Sequence, residues 1–182
     1  MDTDRSWFET DLIDRFLRYV RVHTTSDPHA PTTPTTERQF DLARMLEGEL
    51  HDIGVEEVAL DEHCNLIARV PGTVGQESGT PVGLLAHLDT APDFSGEGVN
   101  PQVHESYDGG TIRLNDEHVL DPREYPKLRD YSGQTVITTD GTTLLGADDK
   151  AGVAEIMSAV KYLIAHPEVP RPDLELAFTP DE

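Results

Sequence analysis

The C-terminal third of the chain constrains the fold most. A β-branched run, Gln134–Thr138, leads into the turn Asp140-Gly141. A helical pattern follows over Lys150–Ala165, with Val153, Ile156, Met157, Val160 and Ile164 recurring on one face. Pro167, Pro170 and Pro172 end it, and LELAFT (Leu174–Thr179) then alternates like a strand. Strand, helix and strand in that order predict a βαβ unit and an α/β domain. Upstream, Val82–Ala86 has almost no polar interruption, which predicts a strand inside a sheet covered on both faces. At 182 residues the chain suits one ordinary domain.

The N-terminal half supplies two amphipathic helices. Phe8, Leu12, Phe16 and Tyr19 follow helical spacing over residues 7–21. A second helix is predicted over Glu37–Ile53, with Phe40, Ala43, Leu46 and Leu50 on one face and Gly54 as its stop. Between them, HTTSDPHAPTTPTT (His23–Thr36) is a Thr/Pro-rich loop, read as a connection within one domain because the residues before it could not bury a core alone. Short strands are predicted at Glu57–Leu60 and Asn65–Val70, with a polar turn over Thr73–Thr80. The stretch from Ala91 to Gly133 reads as irregular, and no internal repeat is present.

Charge narrows the partners. Fourteen Lys and Arg stand against 35 Asp and Glu, for a formal charge of −21. Such a surface repels nucleic-acid phosphates and anionic membranes, so neither is an expected partner. Two readings of it stay open: an ordinary acidic protein, or one from an organism with high internal salt. Cys64 is the single cysteine, so no intramolecular disulfide and no cysteine zinc cluster can form. The acidic N-terminus lacks the apolar run of a signal peptide and no stretch reaches membrane-spanning length, so a cytoplasmic location is the default expectation.

Three polar groups are read as falling just beyond the carboxyl ends of predicted strands: His87 with Asp89, Asp148 with Asp149, and Asp181 with Glu182. In open α/β sheets that edge is where sites form. The logic of His-Leu-Asp is metal ligation: one imidazole nitrogen binds the metal, and a carboxylate two residues on accepts from the other N–H and fixes the tautomer. The plain alternative is a core histidine capped by a nearby acid. In GADDKAG the glycines permit tight backbone and the acids suit zinc, manganese or magnesium; the alternative is an acidic first turn complementing the helix dipole. Two acids there would repel phosphate, which argues against a phosphate-binding loop. The Pro-Asp-Glu end offers a general base, or simply a surface turn. No EF-hand spacing supports a calcium-binding domain.

Together, HLDTAPDFSG, NPQVHESYDGG, GQTVITTDGTTLLGADDKAGVAEIM and LAFTPDE resemble the peptidase T family of tripeptide aminopeptidases. That branch sits within the di-zinc metallopeptidases, which include glutamate carboxypeptidases and aminoacylases. The resemblance extends over nearly the whole chain, including LDEHCNLIARVPG. It implies a zinc-exopeptidase-like α/β catalytic domain, a mixed sheet flanked by helices. It also implies removal of the N-terminal residue from tripeptides by attack of a zinc-bridging water. His87 then resembles a zinc ligand, Asp89 the acid that orients it, Asp148 the carboxylate bridging two zinc ions, and Glu182 the general base. The Asp148–Asp149 peptide is expected to be cis. Lys150 receives no catalytic role. His23, His29, His51, His63, His104, His118 and His166 match no metal motif.

The family pattern continues past Glu182 with a second glutamate and later Asp and His ligands, and includes an inserted domain used for dimerisation and substrate binding. Residues 1–182 therefore read as the first half of the catalytic domain, truncated within a motif. Alone they are expected to bind metal weakly and to lack activity, since a zinc site needs three or four protein ligands. The intact enzyme is expected to hold two zinc ions and to be a homodimer. A related carboxypeptidase or N-acyl amino acid deacylase, or a non-catalytic relic, are the alternatives.

Overall fold

The computed structural model describes residues 2–73, 75 and 79–182, with residues 2–4 as backbone only. Helix α1 (Asp2–Tyr19) and helix α2 (Gln39–Asp52) precede the antiparallel pair β1 (Glu57–Leu60) and β2 (Leu66–Val70). Strand β3 (Val82–His87) leads into a segment with three short strands, β4 (Gln102–His104), β5 (Ile112–Arg113) and β6 (Val119–Leu120). A 3₁₀ turn (Pro126–Tyr131), β7 (Val136–Thr138), α3 (Ala147–Ala165) and β8 (Leu174–Thr179) complete the order.

Four strands form the main sheet in the order β1-β2-β8-β3. The β1/β2 and β2/β8 pairs are antiparallel and β3/β8 is parallel, so the sheet is mixed. Period-2 alternation sends Leu66, Ala68 and Val70 of β2 to the same face as their partners Phe178, Leu176 and Leu174 of β8. That face joins one core with Phe16 and Tyr19 of α1, Leu42, Leu46 and Leu50 of α2, and Val153 and Met157 of α3. Leu176 is 1% exposed, and truncating a side chain this enclosed to Ala costs about 2–5 kcal/mol. Helix α2 stops where the sequence placed its stop: Gly54 takes φ +95°, and Val55 N–H donates to Leu50 O at 2.9 Å.

Two expectations need correction. Among the described residues, strand β3 is an edge strand paired only with β8, and it is not covered on both faces. Leu85 is 69% exposed and Val82 43%, and Leu85 shares an open row with Ile67 of β2 across Ala177. An uninterrupted apolar run marks two faces that can be buried, and among the described residues only one of them is. Second, β7 leaves the main sheet and pairs with β4. The parallel unit flanking α3 is therefore β3–α3–β8, with β4 to β7 inside its crossover. The short strands β4, β5 and β6 carry too few residues for periodicity to register. The predicted turn at Thr73–Thr80 lies mostly outside the described residues. No described helix is long and apolar enough to cross a membrane.

Candidate metal centre

The parallel register pairs His87 with Thr179, so β3 and β8 end side by side. Leu88 N–H still donates to Thr179 O at 2.8 Å before the two chains part. Helix α3 connects these strands and begins at the same sheet edge, which brings Asp148 to it.

His87 Nδ1 lies 3.1 Å from Asp89 Oδ1, and its Nε2 lies 3.0 Å from Asp148 Oδ1 and 3.4 Å from Glu182 Oε2. Each ring nitrogen therefore faces a carboxylate, an arrangement that favours positive charge on the imidazole. Burial disfavours that charge on His87, but the bonds to Asp148 and Asp89 and the nearby Glu182 outweigh it and raise the imidazole pKa above its ordinary value. Asp89 is 3% exposed and also accepts Glu182 N–H at 3.1 Å. The Asp148 and Glu182 side chains are open, at 90% and 73% exposure. A cavity of about 370 Å³ gathers His87, Asp89, Asp148 and Glu182 beside Ala91, Pro92 and Leu144.

Local backbone explains how GADDKAG presents its acids. Gly146 takes φ +77°, where a Cβ would also press on Thr90 Cγ2 at 3.0 Å. The Asp148–Asp149 peptide is cis, and both residues depart from helical angles, so regular helix starts after them. Asp149 is a cap, not a partner of His87: its Oδ1 accepts Gly152 N–H at 3.2 Å. A Cβ at Gly152 would lie 2.4 Å from that oxygen. Lys150 is 1% exposed and donates to Val22 O at 2.6 Å; burial lowers its pKa to about 8, against the pull of Asp89.

His87, Asp89, Asp148 and Glu182 thus lie together at this sheet edge. Among the described residues, His87, Asp148 and Glu182 form the one group whose ligand atoms all lie within 4.8 Å of one another. The seven other histidines have no part in it: His104 meets Thr138, for example, and His166 stacks on Tyr162. Cys64 is buried, with its thiol pushed up to about 12 by burial. Gln39 and Thr35, which hold Asp181, escaped the sequence reading. One signal for Gln39 existed, a polar residue heading the apolar stripe Leu42, Leu46, Leu50.

No protein-family model matches the chain. Peptidase T of Geobacillus thermodenitrificans is 56% identical over 174 residues, which are 94% of this chain and 42% of that protein. The chain is homologous to peptidase T. It spans less than half the length of the peptidase T relatives it matches. Among solved structures, the aminopeptidase PepT of Bacillus cereus superposes with TM-score 0.61 at 23% identity, over 93% of this chain and 35% of that one. An M20 family metallo-carboxypeptidase of Sulfolobus solfataricus gives TM-score 0.52 at 14% identity, over 94% and 31%. The α/β fold of this peptidase T homologue is the one shared by those peptidases.

Proposed function

We propose that these residues form the first part of the catalytic domain of a zinc-dependent aminopeptidase that releases the N-terminal residue of tripeptides. The observation that carries this is the convergence of His87 Nε2 with the carboxylates of Asp148 and Glu182, backed by Asp89 on the other ring nitrogen. The donor set fits zinc: one imidazole and open carboxylates are ligands it accepts, and acids crowding one ring nitrogen make a place for a divalent cation. His87 and Asp148 would hold metal. When bound, zinc lowers the pKa of a water and polarises the scissile carbonyl.

The chain's own residues do the rest. Asp89 keeps the Nδ1 proton of His87 in place, which presents Nε2 as a ligand. Glu182 takes a proton from the attacking water and returns it to the leaving amine. The 56% identity to a peptidase T supports the tripeptide aminopeptidase reading over other amide hydrolases of this fold. We place this chemistry in a soluble cytoplasmic homodimer in the complete enzyme. With two of these residues as ligands, residues 1–182 by themselves are expected to bind zinc weakly and to be inactive.

The test is Glu182→Gln in the full reading frame that contains these residues. Tripeptide hydrolysis should fall by about 10²–10⁴-fold with zinc content and fold retained. Substrates with blocked N-termini should be refused. Hydrolysis of blocked peptides, or a Glu182→Gln protein as active as the parent, would sink the reading.

A further inference from the structure

We propose that Asp181 is a positioning residue for Glu182, held by Thr35 of the loop between α1 and α2 and by Gln39, the first residue of α2. The proposal rests on the reading of Glu182 as the general base. The Asp181 carboxylate accepts three hydrogen bonds: Thr35 N–H at 2.7 Å, Thr35 Oγ1 at 2.5 Å and Gln39 Nε2 at 2.7 Å. Gln39 grips the same residue twice, because its Oε1 also accepts Asp181 N–H at 3.2 Å. Gln39 is fully buried, so its amide is fixed by the core and not by solvent. Asp181 takes φ +53°, the left-handed turn after β8, and Glu182 N–H then reaches Asp89 Oδ1 at 3.1 Å. That turn aims the Glu182 carboxylate back at His87.

The same loop also ties down the other strand exit. Ser26 N–H donates to Thr90 O at 3.1 Å, just after Asp89. Thr35 Oγ1 accepts Asp27 N–H at 3.0 Å while donating to Asp181, so the two ends of the clamp are joined. The Thr/Pro-rich loop therefore registers the base-bearing exit of β8 against the histidine-bearing exit of β3. A displacement near 1 Å at a reacting group costs on the order of 10²-fold in rate, which gives such a clamp its leverage.

The experiment compares Gln39→Ala, Asp181→Ala and Asp181→Asn in the full reading frame, loaded with zinc. Amide hydrogen exchange at Glu182 should speed up by about tenfold or more in both alanine variants, with the amides of Leu174–Phe178 within about twofold of the parent. In the same proteins kcat for tripeptides should fall by about tenfold or more, with KM and zinc content within about twofold, and Asp181→Asn should recover part of the loss. Asp181→Ala serves as the second variant because its side chain lies outside the core that Gln39 enters. Unchanged Glu182 exchange in Asp181→Ala overturns the proposal, as does a rate loss that only tracks the loss of folded protein. A parent protein with no tripeptidase activity overturns the general-base reading instead, and the exchange rates then decide by themselves whether Asp181 holds Glu182.

Discussion

His87 stands between two carboxylates, with Nδ1 3.1 Å from Asp89 Oδ1 and Nε2 3.0 Å from Asp148 Oδ1. The two acids differ in environment: Asp89 is buried and Asp148 open. A buried acceptor orients, and an open one is free to share a cation. Asp89→Ala is therefore expected to weaken zinc binding by about 10–100-fold. Asp89→Asn keeps an acceptor for the Nδ1 proton and should lose less. Competition titrations against a chromophoric chelator measure both, and parental affinity in Asp89→Ala would remove Asp89 from this role.

Lys150 places an ammonium in the core with Val22 O as its hydrogen-bond acceptor, 2.6 Å away. Its four-carbon stem is as enclosed as a leucine. Lys150→Ala deletes that stem and leaves the Val22 carbonyl without its donor, for an expected loss of about 2–4 kcal/mol. Lys150→Met keeps the volume and removes a buried charge, so it should be at least about 1.5 kcal/mol more stable than the alanine variant. Urea unfolding of the two proteins makes the comparison. Equal midpoints would mean that the charge, not the packing, is what matters there.

Much of this architecture was legible because burial and periodicity coincide. LELAFT alternates over the residues that become β8, and the Leu46/Leu50 stripe ends at Gly54. The candidate group at the sheet edge rests on the resemblance, since His-Leu-Asp alone reads more readily as a capped core histidine. Strand β3 was misjudged because an apolar run carries no record of what covers its second face. The Gln39–Asp181 clamp was missed for a different reason. Its partners lie 142 residues apart, and no local pattern announces a hydrogen bond made only after α2 and β8 are packed.

Asp11 makes one contribution to the pH dependence of stability. Its side chain, 12% exposed, accepts from Lys161, from Ser158 at 2.9 Å and from Arg15 Nε at 2.7 Å, tying α1 to α3. Burial alone would raise its pKa, but those donors outweigh it and hold the carboxyl below its ordinary 3.8. A lowered folded-state pKa gives stability that is present above about pH 4 and is lost as pH falls through the folded value. Asp11→Asn should cost about 1–2 kcal/mol at pH 7. The gap from the parent should close below about pH 4. Urea midpoints at pH 7 and pH 2.5 check it; an equal gap at both would rule out the charged pairs as its source.

Salt should stabilise the fold. With 35 acidic residues against 14 basic ones, repulsive pairs outnumber attractive ones across the surface. Attractive clusters do exist, such as Arg69 among Glu57, Asp173 and Glu175, and salt weakens those too. The excess charge decides the sign. The screening length falls from about 10 Å at 0.1 M to about 3 Å at 1 M, so most long-range repulsion is removed over that range. Melting temperature should rise between those concentrations by about 2–4 °C for each kcal/mol of repulsion relieved. Sodium and potassium chloride should act alike, because screening depends on ionic strength. A fall in melting temperature would show that local pairs such as those of Arg69 dominate. A protein unfolded at 0.1 M and folded at 1 M would favour an origin in high internal salt, and one already folded at 0.1 M the ordinary acidic surface.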